Sequence, residues 1–370
     1  MDRTTGDRIG SVRASAYTVP TETPEADGTL EWDSTTMVLV EVRAAGTVGT
    51  GWTYGPAACA AYIDSALAGL VRGADPLAVG GVYERMVRAV RNDGRPGAVG
   101  YAISAVDAAV WDLKARMLDV PLCSLLGRIH ESVPVYGSGG FVNYDRTRLR
   151  DQLLGWVGEQ GIPRVKIKIG EAAGARPGRD LARIAQARRI IGDDAALYVD
   201  ANGGYSRKEA IRVARRADEQ RVSWFEEPVS SDDLVGLRQV RAAVHPDVTA
   251  GEYGGDPGYF LRLCAAEAVD CLQIDASRCG GITGWTRVAP IAAAHGLQVS
   301  AHCAPHLHAH VAAATPNIRH LEWFHDHVRL ESMFFDGVLD PSGGAVTPDA
   351  AAPGTGLTLR TADVERFRVR

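Results

Sequence analysis

From Val133 onward the apolar positions fall in short runs separated by stretches of helical length. The runs are Val133–Tyr136, Arg164–Ile169, Leu197–Asp200, Ser223–Glu226, Val248–Glu252, Cys271–Asp275, Gln298–His302 and His320–Trp323. Each reads as a short, largely buried strand. The stretches between them predict helices, among them 179–191, 207–219, 231–244, 257–266, 283–295 and 305–314. Eight strands with crossovers of this length imply parallel pairing and a (β/α) barrel. A doubly wound open sheet competes, but no Gly-x-Gly-x-x-Gly turn follows the first strand.

Before Val133 the rhythm differs. Ile9–Val19 predicts a strand ended by Pro20, and Thr35–Val42 predicts a second. Residues 21–34, rich in Thr, Pro, Glu, Asp and Gly, predict a loop. Gly46–Gly55 is glycine-rich with two aromatics, and predicts either a hairpin or a mobile loop over a site. Helices are expected over 57–70, 76–91 and 101–118. In the last, Ile103, Val106, Val110, Leu113 and Met117 form one core-facing stripe. Asp107 and Asp112 on that helix read as caps or ion pairs. Residues 1–128 are thus expected to form an α+β domain, 129–330 the barrel, and 331–370 a segment folding back on the first domain.

Composition narrows the class. The chain has 370 residues, 46% of them hydrophobic, enough for a large core. A formal charge of −5 argues against a nucleic-acid partner. Met1–Thr5 lack the apolar core of a signal peptide. No apolar run approaches the roughly 18 residues that span a bilayer. The cysteines are scattered without a Cys-x-x-Cys pair, which fits reduced thiols in a cytoplasmic protein.

The polar residues that end the runs carry the chemistry. Lys168, Asp200, Glu226, Glu252, Asp275 and His302 each close a run, and Glu322 lies in the eighth. In a barrel these ends converge on one face. Asp200, Glu226 and Glu252 recur at 26-residue intervals and would repel one another without a cation between them. Three carboxylates favour a hard ion, Mg²⁺ before Ca²⁺. Strand alternation sends Glu227 to the opposite face, where an ion pair is expected. Asn202 is placed at the rim, against substrate or metal. Lys166 and Lys168 share one strand face, so each should lower the other's pKa. Lys168 then becomes a general base near neutral pH, with Lys166 tuning it and neutralising a substrate carboxylate. Asp275 and His302 on consecutive strands read either as a catalytic dyad or as a satisfied core histidine. His306 and His310, four apart, make a zinc site conceivable, but His308 points elsewhere and packing is the simpler reading.

The order Lys166-Ile167-Lys168, Asp200-Ala201-Asn202-Gly203, Phe225-Glu226-Glu227-Pro228, Gly251-Glu252, Asp275, His302, Glu322 resembles the enolase superfamily. Within it the chain resembles the mandelate racemase subgroup, which has the Lys-x-Lys and the His–Asp dyad together. Ser104–Lys114 and Gly280–Gly284 are similar as well. The resemblance implies an N-terminal α+β capping domain over a (β/α)₇β TIM-like barrel, with the C-terminal segment completing the cap. It implies Mg²⁺ on Asp200, Glu226 and Glu252, and Lys168 and His302 as acid/base groups on opposite faces of the substrate. It makes Glu322 a hydrogen-bond donor or electrostatic partner to the substrate carboxylate. The segments 17–28 and 47–54 would choose the substrate, with Tyr17 and Tyr54, then Thr21, Glu22 and Trp32, as candidate contacts. The implied reaction is dehydration of a sugar acid, an aldonate or aldarate, through an enediolate. Racemase, epimerase and cycloisomerase chemistry on the same site are alternatives. A non-catalytic binding protein on this scaffold would lack a ligand or base, and none is missing. A homo-oligomer is expected.

Overall fold

Long alternating strands open the molecule. The computed structural model describes residues 8–370, so the leader reading of Met1–Thr5 lies outside them. Strands β1 (Ser11–Ala26), β2 (Glu31–Ala44) and β3 (Thr47–Tyr54) form an antiparallel meander. Much of the stretch expected as a loop, 21–34, is therefore strand. Pairing slips between Pro20 and Glu25 and resumes at Glu25↔Trp32, as expected where a proline withholds its N–H. Only 27–30 turn, with Asp27 Oδ1 accepting from the backbone N–H of Thr29 and Leu30.

The glycine-rich 46–55 stretch is a hairpin strand and not a mobile loop. Its glycines let β3 lie directly on helix α1 (Ala98–Met117). A Cβ on Gly51 would stand 2.4 Å from both the Ala105 carbonyl oxygen and the Ala109 nitrogen. Gly51→Ala is accordingly expected to cost about 1–3 kcal/mol of stability. It should appear as a lower urea midpoint; an unchanged midpoint would show that the contact yields.

The barrel follows. Its strands are β4 (Val133–Gly139), β5 (Arg164–Lys168), β6 (Ala196–Asp200), β7 (Val222–Glu226), β8 (Asp247–Ala250), β9 (Cys271–Ile274), β10 (Gln298–Ala301) and β11 (Ile318–Phe324). They pair in parallel in that order, and β11 returns to β4 from Leu321↔Val135 to Phe324↔Ser138. Seven helical crossovers join them. This is the (β/α)₇β barrel with a separate antiparallel N-terminal unit, and closure removes the open-sheet alternative. Tyr136, Tyr198, Trp224 and His320 pack ring against ring inside the barrel. The interior is a filled floor beneath the strand ends, not a channel.

Helix α2 (Gly281–Ala294) follows β9, and Gly280 before it offers no capping side chain. Asp107 of α1 takes over that task. Its Oδ2 accepts from the Thr283 N–H at 2.9 Å and its Oδ1 from the Thr283 hydroxyl at 2.7 Å. Gly281 has φ +76°, and a Cβ there would meet Asp107 Oδ2 at 2.4 Å. Asp112 pairs with Arg116 and accepts from the N–H of Thr50 and Thr355. Both aspartates are thus structural, as read.

Burial pushes the Asp107 carboxyl up to about 7 against the two Thr283 hydrogen bonds. In the unfolded chain it titrates near 3.9, roughly. Between those values the folded chain keeps a proton the unfolded chain has released, so this group's contribution falls as pH rises. Asp107→Asn is expected to flatten that stretch of the urea midpoint against pH. A slope surviving the substitution would assign it to other groups.

The last residues touch both units. Ala345–Val346 pair with β4, while the Val369 N–H donates to the Ala16 carbonyl of β1. All six cysteines are unpaired and buried. No helix among the described residues is long and apolar enough to cross a membrane.

Candidate active site

Lys168, Glu252, His302 and Glu322 line one pocket of about 430 Å³, roofed by the β1–β2 turn, with Asp200, Glu226 and Asp275 buried against them. The strand alternation places both lysines of β5 inward, and both are buried. Lys166 Nζ lies 2.5 Å from Glu226 Oε1, 2.7 Å from Glu322 Oε1 and 3.5 Å from Asp200 Oδ2. Lys168 Nζ lies 2.5 Å from Asp200 Oδ2. Glu226 also accepts from Trp224 Nε1 at 2.9 Å, which ties the site to the aromatic floor.

Glu252, Asp275 and His302 do not end strands, contrary to the sequence reading. They sit one or two residues past β8, β9 and β10. Gly251 makes this turn possible for Glu252, since at φ +140° a Cβ would lie 2.1 Å from the Gln273 carbonyl oxygen.

Glu227 is a second departure. It has φ +37°, which breaks the alternation that assigned it an ion pair on the far face. Its side chain is buried, with Oε1 lacking a hydrogen-bond partner. Burial, then the charges of Glu252, Asp200 and Glu226, hold its carboxyl well above the usual range. It is a fourth buried acid, next in sequence to Glu226.

One oxygen each from Asp200, Glu226 and Glu252 lies within 4.8 Å of the others, all three residues buried. Glu252 Oε2 has no hydrogen-bond donor. An all-oxygen, buried, net-negative set with an unpartnered oxygen fits a hard divalent ion such as Mg²⁺.

Electrostatics corrects one expectation. Burial and Lys166 both work to lower the Lys168 ammonium, but Asp200, Glu226 and Glu252 outweigh them and hold it above its ordinary range. The mutual depression of the two lysines is offset by carboxylates within 2.5 Å of each, Glu226 at Lys166 and Asp200 at Lys168. Asp200 answers in kind, its carboxyl lowered by Lys168 and Lys166 against burial.

His302 Nδ1 lies 2.8 Å from Asp275 Oδ2, the geometry of the dyad. Asp275 Oδ1 is held in turn by the Ser277 N–H and hydroxyl, both at 2.7 Å. Burial acts to lower the His302 imidazolium, but Glu252, Asp275 and Glu322 raise it above the ordinary value. With Nδ1 committed to Asp275, Nε2 is the atom that faces the pocket.

Glu322 lies beside Lys166 and His302. Burial is overcome chiefly by Lys166, which with His302 and Lys168 holds its carboxyl far below the usual range. It accepts from Ser138 Oγ at 2.5 Å and from the Cys303 N–H at 2.8 Å.

Of the candidate substrate contacts, Asn202 and Tyr54 line the pocket. Tyr17 does not: it is buried edge-on against Phe334, its ring centroid 5.2 Å away, on the inner face of β1. Trp32 is in the wall, while Glu22 lines a separate surface depression and Thr21 lies outside the pocket. The zinc reading fails, because His306 turns to Glu331, His310 to the Thr355 carbonyl and His308 to the Ala276 N–H.

Sequence reasoning missed Arg278. Its Nη1 is 3.3 Å from Glu252 and its Nε 3.4 Å from Asp275, with the rings of Tyr101 and Tyr253 beside it at 5.6 and 5.7 Å. Its place three residues past Asp275, in a strand-to-helix turn, was the available signal. Ser138, two residues beyond Tyr136 on the same face of β4, was the other.

Residues 148–364 match the model of the enolase C-terminal domain-like family. Residues 14–127 match that of the mandelate racemase/muconate lactonizing enzyme N-terminal domain. L-talarate/galactarate dehydratase of Salmonella typhimurium is 33% identical over 86% of this chain and 83% of its own length. Its structure with Mg and L-lyxarohydroxamate superposes with a TM-score of 0.91 at 29% identity, covering 100% of this chain and 96% of that one. D-galactarolactone cycloisomerase of Agrobacterium fabrum is 33% identical over 98% of this chain and 99% of its own. The crystal structure of a mandelate racemase/muconate lactonizing enzyme-like protein from Rubrobacter xylanophilus has a TM-score of 0.94. It is 48% identical, covering 98% of this chain and 100% of that one.

Proposed function

The chain belongs to the mandelate racemase/muconate lactonizing enzyme family, and on that premise we propose that it is a Mg²⁺-dependent acid-sugar dehydratase. It would remove the proton α to a carboxylate and expel the β-hydroxyl, giving a 2-keto-3-deoxy acid. The observation that carries this reading is the shared pocket. Lys168, His302 backed by Asp275, and Glu252 line one cavity of sugar-acid size, and Glu252 joins it to the buried carboxylates of Asp200 and Glu226.

Asp200, Glu226 and Glu252 would hold the metal. When bound, a divalent ion supplies positive charge that neutralises these carboxylates and steadies the negative charge of an enediolate. Lys168, released from Asp200's pull, takes the α-proton from one face. His302, charged through its contacts with Asp275 and Glu252, protonates the β-hydroxyl as it leaves from the other. The Cα–H and Cβ–O bonds break, water departs, and the enol takes a proton at Cβ on becoming the ketone. Lys166, fixed by Glu226 and Glu322, faces the substrate carboxylate as a permanent cation. Glu322 acts by positioning Lys166 and the loop at Cys303.

The outer wall bears on which acid. Trp32 donates to Glu25, Thr35 to Asp326 and Tyr54 to Glu331, so their polar hydrogens are committed. The lysine and arginine in the wall, Lys168 and Arg278, are already paired with carboxylates, and Asp27 sits at the rim. A second substrate carboxylate would find no unpaired Lys or Arg among the described residues that line the pocket. Aldonates should therefore exceed aldarates of equal length in kcat/KM by on the order of tenfold or more. Paired assays of the two series check this, and a preference for aldarates would reverse the assignment.

Cycloisomerisation is the second reading, favoured by the full-length match to a cycloisomerase. Mass analysis of the product separates the two: dehydration removes one water, cycloisomerisation conserves mass. The dehydratase assignment fails if every acid consumed yields an isomer.

A further inference from the structure

Cys303 follows His302 and plays no part in the chemistry above. Its thiol is nevertheless buried inside the pocket wall, and the residue is held in place by a left-handed φ of +52°. Its Sγ lies 3.3 Å from His302 Nε2 and 3.4 Å from Glu322 Oε2, and those two atoms are 3.9 Å apart. The unpartnered Glu252 Oε2 stands 3.5 Å from the same His302 nitrogen.

These separations can be compared with what a metal requires. Tetrahedral zinc, with Zn–S near 2.3 Å and Zn–N or Zn–O near 2.0–2.2 Å, sets its ligand atoms about 3.4–3.6 Å apart. The edges found here scatter around that value. The donor types also match, since an imidazole, a thiolate and a carboxylate make a soft, mixed set unlike the all-oxygen cluster beside it. His302 is oriented for it as well: Asp275 holds Nδ1 at 2.8 Å, which fixes the ring with Nε2 toward Cys303.

We propose that His302, Cys303 and Glu322 form a second metal site, selective for a soft divalent cation of the Zn²⁺ class, with a fourth position open to water. On binding, the Cys303 S–H and His302 Nε2–H bonds break, both protons leave to solvent, and the sulfur and nitrogen bond the metal. The site is separate from the carboxylate cluster in its sulfur and nitrogen donors, so it fills while Mg²⁺ is present. It takes up the His302 atom that the dehydratase reading needs for proton transfer. Its occupancy is therefore inhibitory, a consequence that rests on that reading; the binding itself does not.

Co²⁺ is the probe. Protein saturated with Mg²⁺ is titrated with Co²⁺ while thiolate-to-cobalt charge-transfer absorption is followed in the near ultraviolet. The band is expected to saturate near one equivalent, to bleach when Zn²⁺ is added, and to be missing in Cys303→Ser. Cys303→Ala serves as the second variant, and circular dichroism confirms that each is folded. Cobalt on the carboxylate cluster alone gives no thiolate band. No band in the native chain, or one that persists in the folded variants, overturns the site. Turnover at saturating Mg²⁺ should fall more than about tenfold with Co²⁺ as the band fills. A band that fills without loss of turnover leaves the metal site standing and removes His302 from catalysis.

Discussion

Lys168→Ala and His302→Asn are each expected to lower kcat/KM by about 10²–10⁴-fold, the range for loss of a general acid or base. The two should fail differently. Lys168→Ala removes the proposed base, so the α-proton of recovered substrate should no longer exchange with solvent deuterium. His302→Asn keeps a donor toward Asp275, so the pocket wall survives, and Lys168 still faces the substrate. Exchange should then continue while dehydration stops. Neither change is expected to unfold the barrel. Asp200 retains Lys166 at 3.5 Å and the Asn202 N–H at 2.9 Å when Lys168 is lost. Circular dichroism checks the fold, and full activity in either variant would refute its assigned role.

The second large effect is a separation of stability from activity at the carboxylate cluster. Asp200, Glu226 and Glu252 are buried within 4.8 Å of one another, and Glu227 lies close behind. Without a cation their proximity costs stability. Glu252→Gln relieves this repulsion but also loses the 3.3 Å pair with Arg278, so the metal-free protein should change in stability by no more than about 1 kcal/mol. The same change should abolish the protection that Mg²⁺ gives. In the native chain that protection reaches about 2.7 kcal/mol at a hundredfold excess over Kd. Thermal melts with and without Mg²⁺ read both quantities. A variant still protected by Mg²⁺ to the native extent would place the metal elsewhere. Turnover should fall to background in the same variant.

Much of this was legible because the relevant rules are local and periodic. Eight apolar runs at crossover spacing imply parallel strands buried under helices, and the missing Gly-x-Gly-x-x-Gly turn favoured the barrel over an open sheet. The acids and bases at their ends were readable because a barrel gathers those ends. What failed was whatever depended on single backbone torsions or on opposing charges. Strand alternation gave Glu227 an ion pair, yet φ +37° at that residue ends the pleat and its Oε1 has no hydrogen-bond partner. Glu252, Asp275 and His302 lie in turns past their strands, a shift of one or two residues that periodicity does not resolve. The two lysines looked mutually depressing because a one-dimensional reading counted Lys166 as Lys168's neighbour and could not weigh Asp200 at 2.5 Å. Tyr17 was assigned to the pocket from the segment it stands in, yet on β1 it faces Phe334. Arg278 carried no motif, and only the fold brings it between Glu252 and Asp275.

The most direct test is turnover in D₂O with Mg²⁺, supplying a panel of aldonates and aldarates and reading products by NMR. The account predicts a 2-keto-3-deoxy acid carrying one solvent deuteron at C3, formed with Mg²⁺ and absent without it. Retention of the α-proton in every acid, with no deuterium entering substrate or product in the presence of Mg²⁺, would contradict it.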